Sequence, residues 1–121
     1  MASPSALALA KEIARALDEK KAEGIVILDT SALHSMIECF VIATARGPKH
    51  AGILGDEANQ LVKQHGSKAR HTEKAADWVC CDFFDVVLHV FTPEARDYYD
   101  LEHLWADAEK VDWTPAGAAS A

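Results

Sequence analysis

Residues 77–105 read DWVCCDFFDVVLHVFTPEARDYYDLEHLW, and the reading of this stretch decides the fold. Two short runs, at about 77–82 and 85–91, are rich in Val, Phe and Cys and suit β-strands better than helices. Thr92-Pro93-Glu94 then starts a helix: a hydroxyl at the cap, Pro at the first position, and an acid near the positive end of the dipole. This last helix is expected to reach about Lys110. Tyr98, Leu101, Leu104, Trp105 and Ala108 would form its apolar stripe against the core, and Arg96 and Asp100 would pair on its surface.

If the strand connection is a tight turn at Phe83-Phe84, Trp78 faces His89, Cys80 faces Val87, and Asp82 faces Asp85. Alternation then puts those six side chains on one side of the sheet and Val79, Cys81, Val86 and Leu88 on the other. Two phenylalanines are poor chemistry for a two-residue turn, which prefers Gly or Asn, so the turn itself does not secure this register. The second set is an ordinary core face. The first combines an indole, an imidazole and two carboxylates, a mixture that a core does not require.

An aromatic anchor surrounded by acids is the composition of a protein-binding face, and Trp78, Asp82, Asp85 and His89 are its candidate residues. The competing reading is a nucleotidyltransferase-like enzyme, with Mg²⁺ held between Asp82 and Asp85. Such an enzyme also needs phosphate donors. The only candidate, Ala45-Arg46-Gly47-Pro48-Lys49-His50, has one Gly and a Pro that removes a backbone donor. Ser31, Ser35 and Cys39 lie near His34 in sequence, but no nucleophile elbow or base partner accompanies them. Nothing in the sequence brings Asp29 and His89 together as an acid–base pair. No catalytic residue, metal ligand or cofactor is assigned.

Outward from this stretch, Ser3-Pro4 caps a first helix in which Leu7, Ala10, Ile13, Ala14 and Leu17 recur at helical spacing, with Gly24 after its end. Ile25–Asp29 and Cys39–Thr44 are short apolar runs that read as buried strands. Gly47-Pro48 opens a second helix reaching Gly66, with Ala51, Leu54, Ala58, Leu61 and Val62 on its inner face. Residues 67–74 read as a polar link. The expected class is α/β: a single domain over residues 1–111, a mixed sheet flanked by helices on at least one face, and a flexible tail over residues 112–121.

The 121 residues suit one domain, and half of them are hydrophobic. A net charge of −7, with 12 Lys and Arg scattered among 19 acids, argues against a partner made of exposed nucleic acid and suits a basic protein surface. Cys39, Cys80 and Cys81 make no metal pattern, since neighbours on a strand point to opposite faces. Reduced, mostly buried thiols are expected. No apolar run approaches the roughly 20 residues of a membrane span, and no secretory signal is seen, so the expected location is the cytoplasm.

Against this background, ILDTSALHSMIECFVIATA at 27–45 resembles the Iojap family of bacterial ribosomal silencing factors: an aliphatic-Asp strand end, a Ser-containing loop, and an apolar strand ending near Thr. The more specific part is the Trp-led strand (Trp78), Asp82 and Asp85, His89-Val90-Phe91, Arg96, Tyr99, and Leu101-Glu102-His103-Leu104-Trp105. Phe84 stands where the family usually has a small residue, often Gly. Thr44-Ala45 replaces its Thr-Gly, and Thr72-Glu73-Lys74 its Glu-Gly. The resemblance covers about residues 5–108. It implies a fold similar to nucleotidyltransferases without their catalysis. It further implies binding to the large ribosomal subunit through ribosomal protein uL14, blocked joining of the small subunit, translational repression in scarcity, and a homodimer when free.

Overall fold

The computed structural model describes residues 2–33, 37–67 and 69–113. His34, Ser35 and the tail beyond Trp113 lie outside the described residues. The elements are α1 (Pro4–Glu19), β1 (Glu23–Asp29), β2 (Cys39–Thr44), α2 (Pro48–Gln64), β3 (His71–Lys74), β4 (Trp78–Asp82), β5 (Val86–Phe91), α3 (Pro93–Tyr99), α4 (Leu101–Leu104) and β6 (Glu109–Val111). They form a six-stranded sheet in the order β3-β4-β5-β2-β1-β6. Only β2 and β5 are parallel; the other neighbours are antiparallel. This is the mixed α/β sheet expected from the sequence.

α1 and α2 cover one face. Ser3 Oγ accepts the Ala6 amide at 3.2 Å and Pro4 takes the first helical position, so the first turn is capped as the sequence predicts. Ala10, Ala14, Ala51 and Ala58 are fully buried, and such short side chains let the helices lie close to the sheet. Ile13, Leu17, Leu54 and Val62 fill what remains, each removing apolar surface worth about 1.5–3 kcal/mol. Cys39 and Cys81 join this layer as free, buried thiols. β2 and β5, covered on both faces, are buried almost throughout.

The other face is covered only in part, by α3, α4 and the segment that follows. Ala95, Leu101, Trp105 and Ala108 pack there on Leu28, Phe40, Ile42, Val87 and Phe91. The helix expected to reach Lys110 breaks at Asp100, whose φ of +46° is left-handed and ends α3. The Asp100 side chain then accepts the His103 amide and caps α4. Tyr98 before the break and Leu104 after it face solvent, at 81% and 72% exposure, so the predicted stripe holds only for Leu101, Trp105 and Ala108. The chain returns as β6 along the outer edge of β1, and Trp113 Nε1 donates to the Ile25 carbonyl at 3.2 Å. β3, read from sequence as a link, is the opposite edge strand.

The β4–β5 register differs from the tight-turn expectation. Trp78 pairs with Phe91, Cys80 with His89, and Asp82 with Val87. Phe83 turns inward and is buried, so it cannot occupy a turn tip; its amide donates to the Val86 carbonyl at 2.9 Å, which leaves Phe84 and Asp85 as the two residues of the turn. Asp85 therefore leaves the ladder and does not oppose Asp82. The slip is two residues. Because side chains alternate with period two, every strand residue keeps its predicted face.

Candidate partner-binding face

Trp78 is half-buried at the uncovered end of the sheet. Its Nε1 donates to Nδ1 of His89 at 3.1 Å, and its ring meets Phe91 at 5.0 Å and Tyr99 at 4.6 Å. His89 lies behind it, buried and edge-on to Phe40 at 5.1 Å. Burial pushes the His89 pKa down to about 4, so the ring is neutral at physiological pH. With Nδ1 accepting from the indole, its proton resides on Nε2. His89 thus sets the position of Trp78 and is itself hidden from a partner.

A groove of about 310 Å³ opens in front of this pair, lined by Glu73, Ala75, Asp77, Trp78, Cys80 and Tyr99. β3 pairs with β4 so that Glu73 stands beside Cys80, and this places a carboxylate on the rim. Glu73 and Asp77 are exposed. Burial, then the charges of Asp82 and Glu73, push the Cys80 thiol above its ordinary pKa, so it remains a protonated and weakly nucleophilic wall of the groove.

The two aspartates expected at this face have different situations. Asp82 Oδ2 receives Arg70 Nε at 3.1 Å and Nη2 at 2.7 Å, while Oδ1 accepts the Phe84 amide at 2.9 Å. Asp85 is exposed on the loop. The two carboxylates form no opposed pair, and the charge of Asp82 is met by Arg70. Among the described residues no group of three or more His, Cys, Asp or Glu side chains is gathered for a metal ion. In the 45–50 segment, His50 Nδ1 accepts the Arg46 amide at 2.9 Å, which takes up one of the donors an anion would need.

Asp29 and His89 lie on opposite faces of the sheet, which excludes them as a pair. Burial raises the Asp29 pKa, but the Ser31 hydroxyl at 2.6 Å and the amides of Ala2 at 2.9 Å and Ser31 at 3.0 Å outweigh it and hold the carboxyl below its ordinary value. Asp29 thereby ties the start of α1 to the end of β1. His34 and Ser35, for which the sequence supplies no nucleophile elbow or base partner, lie outside the described residues.

Sequence reasoning omitted Tyr99, Glu73, Asp77 and Cys80 from the face. Cys80 shared the predicted face of Trp78 and could have been included on that ground. The others depend on β3 and on the direction of α3, for which no periodic signal exists.

The profile of the family described as "Ribosomal silencing factor during starvation" matches residues 3–121. The chain belongs to this family. It is a family of ribosome regulators rather than enzymes. Within it, the ribosomal silencing factor RsfS of Bacillus subtilis is 35% identical over 104 residues, covering 84% of this chain and 88% of the relative. The chloroplastic protein Iojap of Arabidopsis thaliana is 33% identical over 107 residues, covering 88% of this chain and 45% of that longer protein. A crystal structure of a Chromobacterium violaceum protein superposes with a TM-score of 0.80 at 33% identity, covering 94% of this chain and 95% of that one.

Proposed function

We propose that this protein is a ribosomal silencing factor acting by anti-association: it binds the large ribosomal subunit through ribosomal protein uL14 and sterically blocks joining of the small subunit. The observation that carries this reading is the family match along residues 3–121. The half-open sheet face supports the position of the contact. Steric occlusion needs no activated nucleophile or metal. It needs about 800 Å² per partner with a few strong anchors. Trp78 and Tyr99 are the anchors in this reading, His89 holds the indole, and the exposed Asp85 and Arg70-bound Asp82 extend the acidic side of the face. The net charge of −7 suits a basic protein partner rather than bare RNA, and the reading places the protein in the cytoplasm as a homodimer when free.

Purified small and large subunits, mixed with and without the chain and separated on a density gradient, test the proposal. The expected result is loss of the joined-ribosome peak, with the chain migrating with large subunits. Unchanged joining at saturating protein overturns it.

A further inference from the structure

Arg96 does not pair with Asp100 on the helix surface, as its i, i+4 spacing suggested. Its side chain is 15% exposed and reaches three other elements. Nη1 donates to the Gly24 carbonyl at 2.5 Å on β1 and to Thr44 Oγ1 at 2.7 Å on β2, and Nε donates to Glu102 Oε1 at 2.9 Å on α4. Gly24 is shaped for this contact. Its φ is +55°, and a Cβ there would lie 2.8 Å from Arg96 Nη1.

The remainder of α3 holds the sheet weakly. It has seven residues, far fewer than a helix needs to persist alone, and Ala95 is its one buried residue. Thr92 makes no side-chain cap bond. Tyr99 lies three positions after Arg96, so both occupy the same side of the helix. Whatever sets the roll of α3 about its axis therefore sets where the Tyr99 ring meets Trp78, at 4.6 Å, and Phe91, at 5.9 Å.

We propose that Arg96 is a positioning residue for the partner-binding face. By tying α3 to Gly24 and Thr44, it fixes the helix roll that holds Tyr99 against Trp78. Arg96 touches no partner itself. The binding half of this inference rests on the face proposed above; the positioning half does not.

Arg96→Met keeps an unbranched apolar stem and removes the donors. Its near-ultraviolet circular dichroism, compared with that of Tyr99→Ala, reports whether Tyr99 still couples to Trp78. The expected result is cooperative unfolding, loss of the Tyr99-dependent signal, and affinity for purified large subunits lowered about tenfold. Adding Tyr99→Ala to Arg96→Met should then cost little more, because both remove the same contact. An intact Tyr99 signal, or losses that simply add, overturns the positioning role, since a merely structural arginine lowers stability without touching either. Gly24→Ala disturbs the guanidinium from the opposite side and must reproduce the loss of signal; it serves in place of Arg96→Met if that variant does not fold. If the unsubstituted chain fails to bind large subunits, the proposed function falls, while the spectroscopic comparison still decides the role of Arg96.

Discussion

The indole of Trp78 and the imidazole of His89 are joined by one hydrogen bond, Nε1 to Nδ1 at 3.1 Å, running diagonally across the β4–β5 ladder. The bond exists only while His89 is neutral. Protonation would place a second donor on Nδ1, facing the indole N–H. Burial disfavours that charge and lowers the pKa from 6.5 to about 4. The unfolded chain therefore binds this proton first as pH falls. Stability from this group is fully present above about pH 6.5 and declines between about 6.5 and 4, by on the order of 3 kcal/mol at the limit. Denaturant titrations at pH 7.5, 6 and 5 should show this decline, and His89→Phe should flatten it. Asp29, whose pKa is lowered from 3.8, loses its contribution only at more acid pH, so the two windows separate.

At the other end of β4, Phe84 has φ +76° and is 49% exposed. A left-handed conformation costs a residue with a Cβ about 1–2 kcal/mol. Arg70 over the ring, 5.1 Å from its centroid, returns about 0.5–1 kcal/mol. Phe84→Gly removes both effects and should raise stability by about 0.5 kcal/mol. Phe84→Ala removes the ring contact and keeps the strain, so it should lower stability by a similar amount. Thermal unfolding of the two variants side by side gives the signs. A destabilised glycine variant would mean that the Arg70 contact outweighs the backbone cost.

What could be read from the residues follows from how each segment is stabilised. The runs ILD at 27–29, CFVIAT and VVLHVF are legible because burial on both sides admits little but apolar residues. His71–Lys74 and Glu109–Val111 are held mainly by backbone pairing at the sheet edges, which leaves no apolar alternation to detect. The face of Trp78 and His89 survived a wrong register because the slip was even. Arg96 was assigned a local partner because charge-spacing rules see only the helix. Two of its actual acceptors, Gly24 and Thr44, lie 72 and 52 residues away in sequence, and the third, Glu102, stands on the next helix. The break at Asp100 interrupts a continuous helical pattern, and beyond it Leu101, Trp105 and Ala108 pack on the sheet.

Two glycines in α2 should respond to the same substitution in opposite ways. A Cβ on Gly52 meets nothing within 4 Å, so Gly52→Ala should gain helix propensity, about 0.5–1 kcal/mol. A Cβ on Gly55 would stand 2.8 Å from Val79 Cγ1, in the buried contact between α2 and β4. Val79 is β-branched and fully buried, so it has little room to yield. Gly55→Ala should lose about 1–2 kcal/mol despite the same propensity gain. Chemical denaturation of the pair checks the helix–sheet distance directly. A stabilised Gly55→Ala would mean that α2 stands off the sheet.

Anchoring and steering at the proposed face should separate in kinetics. Glu73 and Asp77 stand exposed on the groove rim, while Trp78 is half-buried within it. Exposed rim charges act mainly on encounter, whereas a desolvated aromatic acts mainly on escape. Glu73→Gln with Asp77→Asn should slow association with large subunits a few-fold and flatten its dependence on salt, leaving dissociation nearly unchanged. Trp78→Ala should speed dissociation, at a cost of about 2 kcal/mol in affinity, and leave association within about twofold. Surface-immobilised large subunits at two salt concentrations would resolve the two rates. Equal affinity for Trp78→Ala, in a variant whose unfolding remains cooperative, would move the contact away from this groove.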